Sequence, residues 1–202
     1  MKIGIYGGTF NPVHKGHLNC LLSVIDSVSL DKIMVLPDRI PPHKSAAGLA
    51  KGRDRLNMCR LAFGSLNGVV VSDWELKQKG KSYTVQTLRY FKKENPDDEL
   101  FLIIGSDMLL SFEKWFKYDE ILHMATLLCV SRDDEDTEEL LRLHAKKLVN
   151  EFGGNIKIVK TIPLEVSSTQ IRKMIADNKD CSCYLDENVV KYIKNNKLYG
   201  LK

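Results

Sequence analysis

The sequence predicts an α/β protein: a doubly wound, Rossmann-like parallel sheet with helices on both faces, in a single domain over residues 1–202. Short apolar runs rich in β-branched residues alternate with stretches of helical periodicity, which is the rhythm of such a sheet. Most of the runs are continuously apolar, which favours strands covered on both faces over half-exposed antiparallel ones. A chain of 202 residues, 44% of them hydrophobic, is long enough to bury one full core and short for two.

Six runs are predicted as strands: Lys2 to Tyr6, Lys32 to Leu36, Val69 to Ser72, Leu100 to Ile104, Thr126 to Val130 and Ile156 to Val159. Apolar residues at helical spacing predict helix faces, namely Leu18, Leu21, Leu22 and Ile25, then Thr84, Leu88 and Phe91, then Leu141, Ala145, Leu148 and Phe152. The acidic run at 133–139 suits the start of a helix. The C-terminal part, roughly residues 167–202, is expected to be helical.

Composition limits the kinds of partner that the protein can have and indicates its cellular location. The net charge of +4 is mild and both signs are mixed along the chain, so we expect no nucleic-acid and no membrane partner. The first residues lack the features of a secretory signal, and no apolar run approaches the roughly 20 residues of a membrane helix. Five cysteines without framework spacing are expected to be reduced thiols in a cytoplasmic protein. Cys181 and Cys183 lack a second pair of ligands, so no metal site is predicted.

The strongest candidate site follows the first strand, because ligands of such sheets bind at the carboxyl ends of strands. The segment from Gly7 to His17 reads Gly-Gly-Thr-Phe-Asn-Pro-Val-His-Lys-Gly-His. Glycines at a strand-to-helix turn let a phosphate approach the backbone, and the N–H groups at a helix start favour an anion. His14 and His17 are three residues apart and therefore share one face of the helix. Their N–H groups suit phosphoryl oxygens that gain charge in a transition state.

Two other interpretations of the histidine pair exist. A lone His-x-x-His is more often structural, but the preceding glycine turn favours function here. A metal site is a poor fit, since no third ligand is nearby. With its His-x-Gly-His after a glycine-rich turn, the segment resembles the signature of the nucleotidyltransferase superfamily. The resemblance implies that the turn and both histidines hold a nucleoside triphosphate, through Gly7, Gly8, Thr9, Phe10, His14, Gly16 and His17.

Two further segments resemble triphosphate contacts of that superfamily. On composition alone Lys44 is an exposed loop lysine, but Pro-Pro-His-Lys at 41–44 resembles the bacterial nicotinate mononucleotide adenylyltransferases, in which the lysine meets ATP phosphates. The Ser-Ser-Thr-Gln-Ile-Arg run at 167–172 is by itself an ordinary helix start. By its resemblance to the superfamily's Ser-Ser-Thr-x-Ile-Arg motif, Ser168 and Thr169 bind phosphate and Arg172 faces the triphosphate.

Further contacts to ATP and to the acceptor are assigned by resemblance to the same family. Gly105 and Asp107 follow the fourth strand, where the carboxylate suits ribose hydroxyls; the resemblance places them between the two nucleotides, and they are assigned to ATP binding. Trp115, which in isolation reads as core, matches a tryptophan that stacks on the pyridine ring. Thr84, in Ser-Tyr-Thr-Val-Gln-Thr-Leu, is implied at the nicotinate pocket. Arg132 fits a contact to the acceptor phosphate, although the loop beyond it lacks the Arg-Pro-Gly turn usual in the family.

The resemblance implies an enzyme that joins ATP and nicotinate mononucleotide (NaMN) into nicotinate adenine dinucleotide (NaAD) and pyrophosphate, in NAD biosynthesis. His14, His17, Lys44 and Arg172 are its implied catalytic residues, and Mg²⁺ is expected to accompany ATP, held by phosphates and water. Open alternatives are a sister transferase acting on nicotinamide mononucleotide or phosphopantetheine, and an inactive nucleotide-binding regulator. The sequence leaves the oligomeric state open, a homo-oligomer included.

Overall fold

The structure is a computed structural model that describes residues 1–41, 48–131, 135–162 and 164–200; of residues 135–137 it describes the backbone alone. The strands are β1 (Lys2–Gly8), β2 (Lys32–Pro37), β3 (Val69–Val71), β4 (Glu99–Gly105), β5 (Ala125–Ser131) and β6 (Ile156–Lys160). The helices are α1 (Lys15–Ser27), α2 (Gly52–Phe63), α3 (Trp74–Lys77), α4 (Thr84–Glu94), α5 (Ser106–Leu110), α6 (Tyr118–Met124), α7 (Glu135–Phe152), α8 (Ser168–Ala176) and α9 (Glu187–Asn195). Each of the six predicted strand runs is therefore confirmed.

The strands form one sheet in the order β3-β2-β1-β4-β5-β6. Parallel pairing joins β1 to β4, β4 to β5 and β5 to β6, with Ile5 opposite Leu102 and Val130 opposite Val159. This is the order of a doubly wound sheet, in which right-handed crossovers from strand to strand place helices on both faces. The predicted fold class is confirmed. Such sheets bind ligands where the strand order reverses, which here lies at β1 and β4.

Contacts divide the chain into two compact units. Unit 1 comprises Met1–Gly7, Cys20–Met34 and Tyr83–Pro163, and its core includes the buried apolar residues of β4 and β5. Unit 2 comprises Gly8–Asn19, Val35–Ser82 and Leu164–Lys202, and it contains α2, α8 and α9. Because each unit is assembled from three separate segments, the division does not cut the chain into sequential domains, and the single domain stays a prediction.

The predicted apolar face of α1 is wrong in part. Leu21 and Val24 are fully buried, whereas Leu22 and Ile25 are 36% and 37% exposed. Successive helical residues lie about 100° apart, so a buried stripe through positions 21 and 24 turns position 22 outward. The apolar face predicted for α7 is confirmed at three positions, since Leu141, Ala145 and Leu148 are buried. Among the described residues no helix is long and apolar enough to cross a membrane.

Candidate active site

The glycine turn leaves β1 in a backbone path that only small residues permit. A Cβ atom on Gly8 would lie 2.9 Å from Cζ of Phe10, so the ring occupies the space that a side chain would need. Phe10 has a φ of 46°, in the left-handed region that non-glycine residues rarely adopt, and is only 2% exposed. Its ring meets His17 edge-on, with centroids 5.1 Å apart. The buried phenyl ring therefore holds the turn against the first helix.

Four carbonyl groups of the turn accept hydrogen bonds from other segments of unit 2. The backbone N–H of Asp38 donates to Gly8 O at 2.9 Å, and Arg55 Nη1 donates to Thr9 O at 2.8 Å. From α8, Arg172 Nη1 donates to Asn11 O at 2.9 Å and Ser168 Oγ donates to Pro12 O at 2.9 Å. The turn is thus fixed by residues far from it in the sequence.

The two histidines are stacked and joined by a hydrogen bond. Their ring centroids are 3.7 Å apart, and the backbone N–H of His14 donates to Nδ1 of His17 at 3.1 Å. Because Nδ1 of His17 accepts this bond, the neutral ring carries its proton on Nε2. His14 is 7% exposed, and a Cβ atom on Gly16 would lie 3.0 Å from its Nδ1. Gly16 is therefore the residue that lets the His14 ring lie over the helix start.

The start of α8 is built by a residue that precedes the predicted contacts. Ser167 is the N-cap: its Oγ accepts from Gln170 N–H, and Gln170 Oε1 accepts from the Ser167 N–H, a complete capping box. Ser168 and Thr169 are the first two helical residues, whose backbone N–H groups have no partner within a helix. The hydroxyl of Ser168 donates to Pro12 O, so an anion would meet the backbone N–H groups here more readily than that hydroxyl.

Arg172 lies one turn inside α8, as predicted. Two of its five N–H donors are used inside the protein, one on Asn11 O and one on Thr169 Oγ1 at 3.2 Å. Both contacts belong to predicted phosphate-binding segments. The guanidinium thereby ties the start of α8 to the glycine turn.

Arg55 and Asp38 support the turn but were not predicted from the sequence. Arg55 is 2% exposed and its Nη1 lies 3.2 Å from Oδ1 of Asp38, which directly follows β2. Thr9 Oγ1 donates to the other carboxylate oxygen of Asp38 at 2.9 Å. Two signals could have found the pair: a carboxylate at a strand end, and an arginine among the apolar positions of a helix that buries Leu56, Met58 and Cys59.

Asn11 is a third residue of the site that was not predicted. It is 4% exposed, and its amide donates to Gly48 O at 3.0 Å and accepts from Ala50 N–H at 3.0 Å. These two bonds mimic a strand pairing and hold residues 48–50 beside the turn. In the sequence Asn11 lies between Phe10 and Pro12. Asparagine is common in turns, so its residue type did not indicate this role.

Unit 1 carries the residues predicted for ribose and for the acceptor. Asp107 lies in the first turn of α5, and its Oδ1 would be 3.1 Å from a Cβ atom placed on Gly105. Trp115 is half-buried and stacks at a tilt on Phe112, with centroids 5.3 Å apart. Thr84 is the first residue of α4, whose N-cap, Tyr83, makes no side-chain capping bond. Asp107 and Thr84 stand at helix starts, where binding groups are expected, and Trp115 directly follows a short 3-10 helix at 112–114.

Two predicted residues, Lys44 and Arg132, lie outside the described residues, so their roles stay predictions. Of the five cysteines, Cys183 is exposed, whereas Cys59, Cys129 and Cys181 are buried. Burial raises the pKa of the Cys59 thiol far above its usual range, which makes it a poor nucleophile. Within the described part of the chain, no three or more His, Cys, Asp or Glu side chains cluster as a metal site would require.

Unit 2 also contains an open cleft of about 880 Å³ between the start of α2 and the residues from Tyr192 to Tyr199. Neither the glycine turn nor the histidines line it. The candidate site is therefore defined by its hydrogen-bonding geometry and not by the size of a cavity.

The geometry defines a nucleotide-binding α/β protein, and comparisons with known proteins agree. The cytidylyltransferase-like family model matches residues 5–174. A protein of Desulfatibacillum aliphaticivorans described as "probable nicotinate-nucleotide adenylyltransferase" is 35% identical, over 98% of this chain and all of that one. A Clostridium botulinum protein with the same description is 35% identical over 98% of both chains. The chain belongs to the cytidylyltransferase-like family and, within it, to the nicotinate-nucleotide adenylyltransferases.

A solved structure shares the fold over the whole chain. The nicotinic acid mononucleotide adenylyltransferase of Plasmodium falciparum, solved in complex with NaAD, has a TM-score of 0.79 and covers 100% of this chain with 98% of its own. At 20% identity this likeness concerns the fold alone.

Proposed function

We propose that the protein transfers the adenylyl group of ATP to NaMN, giving NaAD and pyrophosphate in NAD biosynthesis. Relatives of nearly equal length that are 35% identical are described with this activity. The fold and the glycine turn are those of a protein that binds nucleotides. The cytoplasmic location expected from the sequence stays a prediction.

One observation carries the catalytic part of the proposal: the backbone N–H of His14 donates to Nδ1 of His17. This bond fixes the ring orientation and leaves Nε2–H as the donor of the neutral imidazole. A preoriented donor beside the start of α1 stabilises charge that develops on a phosphoryl oxygen, and it costs no rearrangement at the moment of reaction. His14, stacked on the same ring, supplies the second imidazole of the pair.

The reaction needs no covalent intermediate. An oxygen of the NaMN phosphate forms a bond to the α-phosphorus of ATP, and the bond from that phosphorus to the pyrophosphate oxygen breaks. Because the attacking phosphate is already ionised, no general base is required. Catalysis consists of positioning and of charge stabilisation, as in phosphoryl transfer generally. The nucleotide substrate is MgATP, whose metal ion is held by phosphates and water.

The predicted residues divide between the two substrates. His14 and His17 act on the α-phosphoryl group, Lys44 and Arg172 on the outgoing pyrophosphate, and Ser168 and Thr169 bind phosphate through the start of α8. This last assignment is supported by the exposed first N–H groups of a capped helix.

Three residues are assigned to the acceptor, with Trp115 stacking on the pyridine ring, Thr84 at its carboxylate and Arg132 at its phosphate. The half-buried indole, which packs at a tilt on Phe112 with centroids 5.3 Å apart, supports stacking, because part of its surface stays accessible to a second ring. Such a face-sharing contact is worth about 1–3 kcal/mol for a flat heterocycle.

Acceptor choice tests the proposal. Pyrophosphate release from ATP is measured with NaMN, nicotinamide mononucleotide and phosphopantetheine in parallel, and the product is identified by mass. We expect NaMN to give the highest kcat/KM and a product with the mass of NaAD. A higher kcat/KM with either other acceptor would assign the protein to a sister reaction. ATP binding without turnover on any acceptor would indicate a regulator.

A further inference from the structure

Arg55 is a buried cation that does not touch solvent. It is 2% exposed and heads the largest fully buried side chains of the described residues. An arginine stays charged in any protein environment, and burying an ion costs several kcal/mol that its partners must offset. Within the described residues its carboxylate partner is Asp38, with Nη1 3.2 Å from Oδ1. Such a pair contributes little net stability compared with an apolar replacement, so its geometry suggests another use.

The guanidinium donates to four backbone carbonyls as well. Nη1 donates to Thr9 O at 2.8 Å, Nε to Ala50 O at 3.2 Å, and Nη2 to Asp38 O at 2.7 Å and to Arg39 O at 3.4 Å. Asp38 in turn accepts from Thr9 Oγ1 at 2.9 Å and donates its N–H to Gly8 O at 2.9 Å. The Arg55–Asp38 pair therefore holds two consecutive carbonyls of the glycine turn, those of Gly8 and Thr9.

The direction of these carbonyls fixes the direction of the next amides. Both peptide bonds are trans, and in a trans peptide the C=O and N–H bonds point in opposite directions. Because the carbonyl of Gly8 accepts from the N–H of Asp38, just after β2, the N–H of Thr9 points away from β2. Because the carbonyl of Thr9 accepts from Arg55 on α2, the N–H of Phe10 points away from α2. Successive N–H groups around a left-handed residue such as Phe10 form a concavity that binds anions.

We propose that Arg55 is a positioning residue, which, paired with Asp38, sets the amides of the glycine turn to receive the triphosphate of ATP. Arg55 itself does not touch the nucleotide, because it is buried behind the turn. Its planar fork is required, since one side chain must reach four carbonyls and a carboxylate at once. This inference rests on the proposed function, because ATP is the ligand that the proposed function supplies.

The test compares ATP binding and turnover in Arg55→Lys and in the parent. Lysine keeps the charge but offers a point donor in place of the fork. We expect the Kd for ATP, measured by calorimetry, to rise about tenfold, which is the scale of one lost hydrogen bond to a charged group. The KM for NaMN should stay within about twofold, because the described hydrogen-bond partners of Arg55 are Thr9, Asp38, Arg39 and Ala50, none of which is assigned to NaMN.

Two controls separate positioning from stability. Arg53→Lys makes the same change at an exposed position on the same helix and should keep the parent's Kd. Leu148→Ala removes a fully buried side chain of α7 and shows how far a loss of stability alone changes ATP binding. Asp38→Asn is a second, milder variant, because it weakens the ion pair and keeps every Arg55 donor; it should raise the Kd about threefold.

The outcomes distinguish the inference from the proposed function. If Arg55→Lys keeps the parent's Kd and kcat, or changes them no more than Leu148→Ala does, the positioning role is wrong. If Arg55→Lys does not fold, the test rests on Asp38→Asn. A Kd for ATP equal to the parent's in that variant would also overturn the positioning role. If the parent binds ATP but uses no acceptor while Arg55→Lys loses ATP affinity, the proposed function fails and the inference stands. A parent that binds no ATP overturns both.

Discussion

Gly16→Ala should reduce turnover without unfolding the protein. Gly16 is the second residue of α1 and lies under the ring of His14. An alanine Cβ there would come within 3.0 Å of His14 Nδ1 and 3.1 Å of its Cε1. The backbone of Gly16 is helical, so alanine meets no conformational penalty, and the change favours the helix by about 0.5–1 kcal/mol.

The size of the effect follows from the distance that the ring must move. Ordinary contact begins near 3.4 Å, so the His14 ring has to retreat by about 0.4 Å. Its stacked partner His17 must follow or lose the 3.7 Å stacking of the two rings. Since a misplacement of about 1 Å costs roughly 100-fold in rate, we expect kcat for NaAD formation to fall about five- to tenfold.

The assay is steady-state NaAD formation, measured beside the melting temperature of each variant. Asp26→Ala, at the exposed end of the same helix, is the matched control, because it also favours the helix but is far from the histidines. It should keep the parent's kcat. A Gly16→Ala enzyme with parental kcat and a raised melting temperature would refute the reasoning, since the histidine geometry would then not limit the rate.

Three further changes address separate parts of the molecule. Trp115→Ala should raise the KM for NaMN about tenfold and that for ATP by less than twofold, in the same steady-state assay; equal rises would contradict stacking on the acceptor. Ser167→Ala removes the capping box of α8 and should lower the free energy of unfolding in urea by about 1 kcal/mol; an unchanged midpoint would contradict it. The carboxylate of Glu138 is hydrogen-bonded to Lys160 and to Arg142, and these two contacts, Lys160 first, lower its pKa in the folded protein below the usual 4.5. The stabilisation that they give is therefore present above pH 4.5 and is lost as the pH falls through the pKa of the folded state. In urea titrations at descending pH, Glu138→Gln should therefore lose less stability than the parent below pH 4.5, and parallel losses would contradict this linkage.

The strands could be predicted because each is a continuous run of apolar, β-branched residues between turn signals. The run Leu100 to Ile104, for example, falls inside β4 and is buried throughout. The apolar face of α1 was predicted less well, because its five aliphatic residues offer more than one stripe and only the packing selects Leu21 and Val24.

The glycine turn could be predicted from its local pattern, whereas its supports could not. Ser168 and Pro12 are 156 residues apart, and no local rule pairs them. Arg55 has the residue type of a solvated helix face, and only the position of the Thr9 and Asp38 carbonyls makes its burial favourable. Local chemistry thus predicts a binding segment, while the contacts that hold its backbone join residues far apart in the sequence.

The most direct test of the account is the kcat of His17→Ala for NaAD formation, measured with the KM for ATP beside the parent enzyme. Loss of one preoriented donor to a developing charge costs about 100- to 1,000-fold in kcat. The KM for ATP should change by less than about threefold, because the backbone and the other cations still hold the ground-state triphosphate. A variant that turns over as fast as the parent would contradict the assignment of His17, and with it the catalytic reading of the glycine turn.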